Sequence, residues 1–193
     1  MRVRLATAPR YRGIVWRPLA LLLLAALPAG CGGGDKPSGP LPDAANSITL
    51  TSPAFRDGGT IPKRFSCDGV GGSPALRWSG VPAGARELVL VVEDPDADRF
   101  VHWTVLGIPA QAIGIPEGRV PAAAVQTENS FGKRGWGGPC PPEGDDAHHY
   151  VFSLYATDAR LGLGKEASPD DVRAALSEHA LARGALTGLS ARR

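Results

Sequence analysis

Two clusters in this 193-residue sequence combine residue types that can hold, orient or exchange protons. The first is the run from Gly135 to Tyr155, GWGGPCPPEGDDAHHYVFSLY, where prolines, glycines, acids and paired histidines lead into an aromatic, β-branched stretch. Pro139, Pro141 and Pro142 each fix φ at about −65° and lack a backbone donor, whereas Gly135, Gly137, Gly138 and Gly144 permit turns closed to other residues. A stiff, bent loop feeding a strand is predicted. Side chains alternate across a strand, so His148, Tyr150, Phe152 and Leu154 share one face and His149 points the other way. A histidine and a tyrosine at the mouth of a strand whose deeper residues are apolar make the polar rim of a pocket.

The second cluster is Glu93-Asp94-Pro95-Asp96-Ala97-Asp98, with His102 following at the start of the next strand. Asp-Pro-Asp is an ordinary turn sequence, and capped, solvated carboxylates would account for it alone. Its weight comes from coincidence: three of the four histidines, His102, His148 and His149, lie at strand mouths beside acid- or proline-rich loops. Other chemistries fit less well. No G-x-S-x-G is present, and Ser66, Ser73 and Ser79 have no local base signature. Asp145, Asp146, His148 and His149 have ligand chemistry for zinc, but adjacent strand histidines point to opposite faces and do not easily reach one ion. His179 reads as a helix-face residue without a catalytic role. No catalytic residue, metal or cofactor is expected.

The elements that must position these clusters are mostly strands. Ser47–Ser52 alternates and is β-branched, Pro74–Trp78 reads as a short strand, and Glu87–Glu93 has a continuous apolar centre that predicts a central strand buried on both faces. Val101–Ile108 alternates, placing Val101, Trp103 and Val105 on one face and His102, Thr104 and Leu106 on the other. Ile115–Phe131 reads as loop with a short strand. Ser168-Pro169-Asp170-Asp171 is a helix start with a capping hydroxyl, proline at the first position and acids at the positive end of the dipole. The helix is expected to run to about Arg183, with Val172, Leu176, His179 and Arg183 on one face and Gly184 as its stop, before a last strand over Ala185–Ser190. This pattern predicts a mainly β domain of two packed antiparallel sheets with a peripheral helix.

With 43% apolar and 21% charged residues, the chain suffices for one domain with a full core. Its net charge of +2 is misleading, because five arginines precede residue 31, where there is no acid; removing them from 21 leaves 16 cations against 19 acids, or −3. Nucleic-acid binding thereby loses its main electrostatic support. Those arginines precede Leu19–Ala29, an apolar run too short for a spanning helix, which needs ~20 residues. Residues 1–30 therefore read as a secretory signal peptide. Ala29-Gly30 before Cys31 resembles the lipobox of bacterial lipoproteins, where the cysteine becomes the lipid-bearing N-terminus, although Pro28 stands where leucine is preferred. Residues 31–45 read as the lipid-attachment cysteine and a flexible tether, and 46–193 as the domain.

LVLVVEDPDAD with HWTVLGIP, followed by GWGGPCPPEG and HHYVFSLYA, resembles the phosphatidylethanolamine-binding protein family in its bacterial, Raf kinase inhibitor-like branch. FSCDGVGGSPALRW and ARGALTGLSAR extend the resemblance over roughly Ser47 to Ser190. The resemblance implies a β-sandwich with a small anion-binding pocket at one end, and carries Asp94, Asp96, His102, Gly138, Pro139, Pro141, His148 and Tyr150 into that pocket. The departures are Asp98 where the family usually has proline, Trp136 for a common tyrosine, and His149 where arginine is frequent.

The expected protein is a non-enzymatic binder of a small anion or phospholipid headgroup, held by an N-terminal lipid on a membrane outside the cytoplasm. In the alternative, the same loops are an interaction surface that inhibits a kinase-like or protease partner. In the pocket, acids are expected to orient the histidines, and anions to bind more tightly at pH 6 than at pH 8 because histidine titrates at about 6.5. With Cys31 lipidated, Cys67 and Cys140 remain, and outside the cytoplasm a bridge and two buried thiols both stay open.

Overall fold

The structure is a computed structural model and describes residues 39–193. The expected signal peptide, Cys31 and the first residues of the tether lie outside this range.

In chain order the strands are β1 (Asn46–Ser47), β2 (Thr49–Thr51), β3 (Gly59–Thr60), β4 (Leu76–Ser79), β5 (Glu87–Asp94), β6 (Phe100–Pro109), β7 (Gly114–Ile115), β8 (Val125–Gln126), β9 (His148–Thr157) and β10 (Ala180–Ser190), with helix α1 (Pro169–His179) before the last strand. The large sheet runs β1-β10-β9-β5-β6-β8, with β3 also on β10, and the small sheet runs β2-β4-β7. The long strands pair antiparallel, as expected, while the two-residue β1 and β3 pair parallel to β10. Between the sheets lies one core in which Leu50, Leu76 and Trp78 of the small sheet meet Leu90, Trp103, Phe152 and Leu154 of the large one. The opposite face of the large sheet packs Val89, Val91, Leu106 and Tyr155 against Val172 and Leu176 of α1. β5 is therefore buried on both sides, which is why its apolar residues do not alternate with polar ones.

Four expectations need correction. The first strand is two: it breaks at Ile48, whose N–H bonds Arg183 O at 2.9 Å, so that β1 joins one sheet and β2 the other. Ile48 O passes so close to Gly184 that a Cβ there would collide with it, and Gly184 thus serves a chain crossing rather than a helix end. The helix stops at His179, four residues early. Its Ser168 capping box is present, but from Ala180 onward the backbone pairs with β9, beginning at Ala180↔Thr157, and Arg183 becomes a strand residue. Pairing along a long neighbouring strand satisfies the backbone there, overriding helical periodicity. The stretch expected as flexible tether is in part docked on the domain: Leu41 is buried beside α1, and Tyr155 Oη donates to Pro42 O at 2.6 Å.

The fourth correction concerns β6. Val92 pairs with Trp103, but the next residue, Glu93, pairs with Val101, so His102 is the extra residue of a β-bulge. The bulge reverses the alternation on its far side. Val101 and Thr104 face α1 beside Val172 and Arg173, while His102 turns to the side of Tyr150, with ring centroids 5.0 Å apart.

Candidate ligand-binding site

The ends of β5, β6 and β9 converge beneath the loop that precedes β9. At the end of β5, Asp94 is only 2% exposed. Its Oδ1 accepts the N–H of Asp96 at 2.9 Å, which caps the short 3-10 turn Pro95–Ala97, and its Oδ2 accepts from His148 Nδ1 at 2.8 Å. The turn leaves Asp98 and Arg99 with φ of 55° and 56°. Proline, the usual family residue at position 98, is fixed at about −65° and is incompatible with that course.

Asp96 takes a different histidine as its partner. Its Oδ2 accepts from both the backbone N–H and Nδ1 of His149, at 2.6 and 2.9 Å. These bonds, the backbone one foremost, hold its carboxyl below the usual aspartate range. Asp96 and His149 thus form a second pair, more exposed than Asp94 and His148, that clamps the β5–β6 turn to β9.

His102 is oriented by backbone rather than by an acid. Its Nδ1 donates to Gly137 O at 2.7 Å, and Gly137 N–H donates back to His102 O at 2.8 Å. Burial pushes the imidazole below the usual histidine range, partly opposed by the Gly137 carbonyl and Asp94. The ring is therefore neutral near pH 7, with the proton on Nδ1 and a lone pair on Nε2. Tyr150 lies edge-on to it. Burial, followed by the nearby Asp94 charge, pushes the Tyr150 phenol far above its usual value, so it remains an O–H donor. His148, the member that reaches solvent, has 15% of its side chain exposed and Asp145 Oδ2 at 4.0 Å from Nε2. Among the described residues no lysine or arginine pairs with Asp94, Asp96 or Asp145.

The loop is anchored from the other side. Cys67 and Cys140 form a disulfide across 73 residues, and Cys67 N–H donates to Pro139 O at 3.0 Å. Gly138 runs against the backbone of Phe65 and Ser66 so closely that a Cβ would collide with Phe65 O. Pro141 is buried, and Trp136 donates its indole N–H to Phe65 O at 3.1 Å. Gly138, Pro139 and Pro141 therefore build the wall. The structure brings Asp94, His102, His148 and Tyr150 together within it. A separate cleft of about 490 Å³, lined by Lys63, Asp68, Arg192 and their neighbours, shares none of these four.

Comparison with known proteins gives the arrangement its context. The sequence profile described as phosphatidylethanolamine-binding protein matches residues 51–191, which spans all three strand ends and the loop. The chain belongs to the phosphatidylethanolamine-binding protein family. It is 40% identical over 190 residues to a Mycobacterium tuberculosis protein named as a candidate lipoprotein, LppC, covering 89% of this chain and 94% of that one. A UPF0098 protein of Methanothermobacter thermautotrophicus is 44% identical over 149 residues, covering 74% of this chain and 97% of its own. Among solved structures, E. coli YbcL, described as a member of the mammalian family, superposes with a TM-score of 0.72 at 31% identity, over 76% of this chain and 99% of its own. A candidate homologue from Chlamydia trachomatis, CT736, superposes with a TM-score of 0.71 at 37% identity, over 77% and 100% respectively. Family and two-sheet fold agree with the motifs that carried the resemblance.

Sequence reasoning missed several contributors. Gly137 reads from the sequence only as a turn residue and not as the acceptor for His102, and Asp145 only as a candidate zinc ligand and not as a neighbour of His148. Phe131 and Asn129 at the site's edge fell in a stretch read as loop, where an aromatic between Ser130 and Gly132 was the available sign.

Proposed function

We propose that this protein is a non-enzymatic binding protein of its family, whose pocket takes a small oxyanion, either free phosphate or a phosphorylated lipid headgroup. The observation that carries this reading is the 2.8 Å bond between His148 Nδ1 and Asp94 Oδ2, which fixes the ring and keeps Nε2 for a further partner. His102 Nε2 and the Tyr150 hydroxyl are the other groups of suitable polarity. With His102 neutral and donating through Nδ1, its Nε2 is an acceptor, so an oxyanion beside it must arrive with a proton or transfer one to the ring. Asp94 and Asp145 disfavour a dianion and favour the protonated form. Binding is accordingly tighter at pH 6 than at pH 8. The lipobox-like Ala29-Gly30-Cys31 and the name of the mycobacterial relative support a lipid tether at Cys31 on a membrane outside the cytoplasm.

Calorimetric titration with inorganic phosphate and with glycerophosphoethanolamine, at pH 6 and pH 8, tests the pocket. Tighter binding of the ester identifies a headgroup site, and equal binding a phosphate site. Absence of binding by both, or affinity indifferent to pH, would overturn the oxyanion reading and return the loops to the role of a surface for a protein partner.

A further inference from the structure

Phe131 stands at the edge of the site in a conformation built to keep it there. The residue is 44% exposed, one of the three large hydrophobic residues most open to water among the described residues. It meets Phe100 edge-on at 4.7 Å and His102 edge-on at 5.4 Å, and His102 in turn meets Tyr150 at 5.0 Å. The rings form a continuous row from solvent to the buried floor.

The turn that carries Phe131 is clamped at both ends. Buried Asn129 accepts the N–H of Phe131 at 3.0 Å and of Lys133 at 3.3 Å through Oδ1, and donates from its amide to Gly135 O at 2.9 Å. Ser130 Oγ accepts Val101 N–H, and Ser130 N–H donates to Val101 O, each at 2.9 Å. Behind the ring, a Cβ at Gly137 would lie 2.6 Å from the Phe131 edge, so the ring rests directly on the backbone whose carbonyl orients His102. An aromatic left half in water forfeits part of its burial free energy. A flexible loop would let it fold back, but here the hydrogen bonds hold it out.

We infer that the oxyanion arrives as an ester of an apolar, flat group, and that Phe131, backed by Phe100, is the shelf on which this group lies while the anionic end reaches His102 and His148. Phe131 is thus the residue that sets specificity for the organic part of the ligand. The inference rests on the oxyanion reading of the pocket and adds the class of substituent. Ring-on-ring contact of this kind strengthens binding roughly three- to tenfold.

The test compares phenyl phosphate with inorganic phosphate at pH 6, by calorimetry, for the wild-type protein and for Phe131→Ala and Phe131→Leu. The wild type is expected to prefer phenyl phosphate roughly three- to tenfold, with Phe131→Ala bringing that ratio close to one and Phe131→Leu leaving part of it. Because the readout is a ratio within one variant, a general loss of affinity on substitution does not mimic the effect. Equal wild-type affinities for the two ligands, or a preference that survives Phe131→Ala, would overturn the shelf while leaving the pocket intact. Failure of the wild type to bind phosphate in any form would remove both readings together.

Discussion

His148 and Asp94 lie 54 residues apart in sequence and meet through an Nδ1···Oδ2 bond of 2.8 Å at adjacent strand ends. The carboxylate also caps the turn after β5, so one buried side chain both shapes the loop and holds the histidine. Loss of His148 should therefore act on the ligand directly, and loss of Asp94 through orientation. A charge-assisted hydrogen bond contributes about 1.5–3 kcal/mol, so His148→Ala should weaken phosphate binding roughly ten- to a hundredfold. Asp94→Asn should weaken it as well, with a flatter pH profile, because the amide no longer disfavours the dianion. Calorimetry at several pH values reads both, and unchanged affinity in His148→Ala would contradict the assignment.

His102 links the site to the pH dependence of folding. Its folded-state value is depressed by burial, so the unfolded chain takes up this proton more readily. The stabilisation is present in full above the unfolded value of about 6.5 and is lost as pH falls from there through the folded value. Urea midpoints should drop over this interval, and His102→Gln should remove part of the slope. A wild-type slope reproduced by His102→Gln would place the titration elsewhere.

The Cys67–Cys140 bridge closes a loop spanning 73 residues and pins the wall of the site to the segment before β4. In the chain-entropy treatment such a closure stabilises by about 4 kcal/mol. The Cys67→Ser/Cys140→Ser variant should melt well below the wild type. Thiol counting on unreduced, denatured protein provides the direct check, since a bridged chain shows no reactive thiol at these two positions.

Glu93, next to Asp94 on β5, forms a buried ion pair with Arg173 of α1, on the sheet face opposite His102 and Tyr150. Burial, the largest influence, raises the Glu93 carboxyl above its usual range against the pull of Arg173. Removing one partner leaves an unpaired buried charge, so Arg173→Met should destabilise by about 3–5 kcal/mol. The double variant Glu93→Gln/Arg173→Met should recover much of that loss in denaturant melts. A double variant no more stable than Arg173→Met would rule out charge burial as the cause.

If Cys31 carries lipid as proposed, two or more acyl chains would anchor the protein stably, each buried CH₂ adding about 0.8 kcal/mol. Cys31→Ala should move the protein from the membrane to the soluble fraction of the producing cells. Persistence in the membrane would exclude lipid at Cys31 as the anchor.

Features governed by local rules were legible in the sequence. The apolar centre of Glu87–Glu93 marked a strand covered on both faces, Ser168-Pro169-Asp170-Asp171 marked the helix start, and alternation from His148 to Leu154 placed the histidine beside Tyr150. Ordered motifs carried the family. Tertiary structure alone decided which partner each polar group takes. Asp96 turned to His149, Gly137 rather than a carboxylate oriented His102, and Asn129 locked Phe131 at the rim. The bulge that brings His102 to Tyr150 arises from the register of β6 against β5, and the early end of α1 arises from pairing of Ala180–Ser190 with β9. Periodicity describes one strand or helix in isolation. Bulges, strand switches and hydrogen-bond partners depend on neighbours tens of residues away, whose positions exist only once the sheets have assembled.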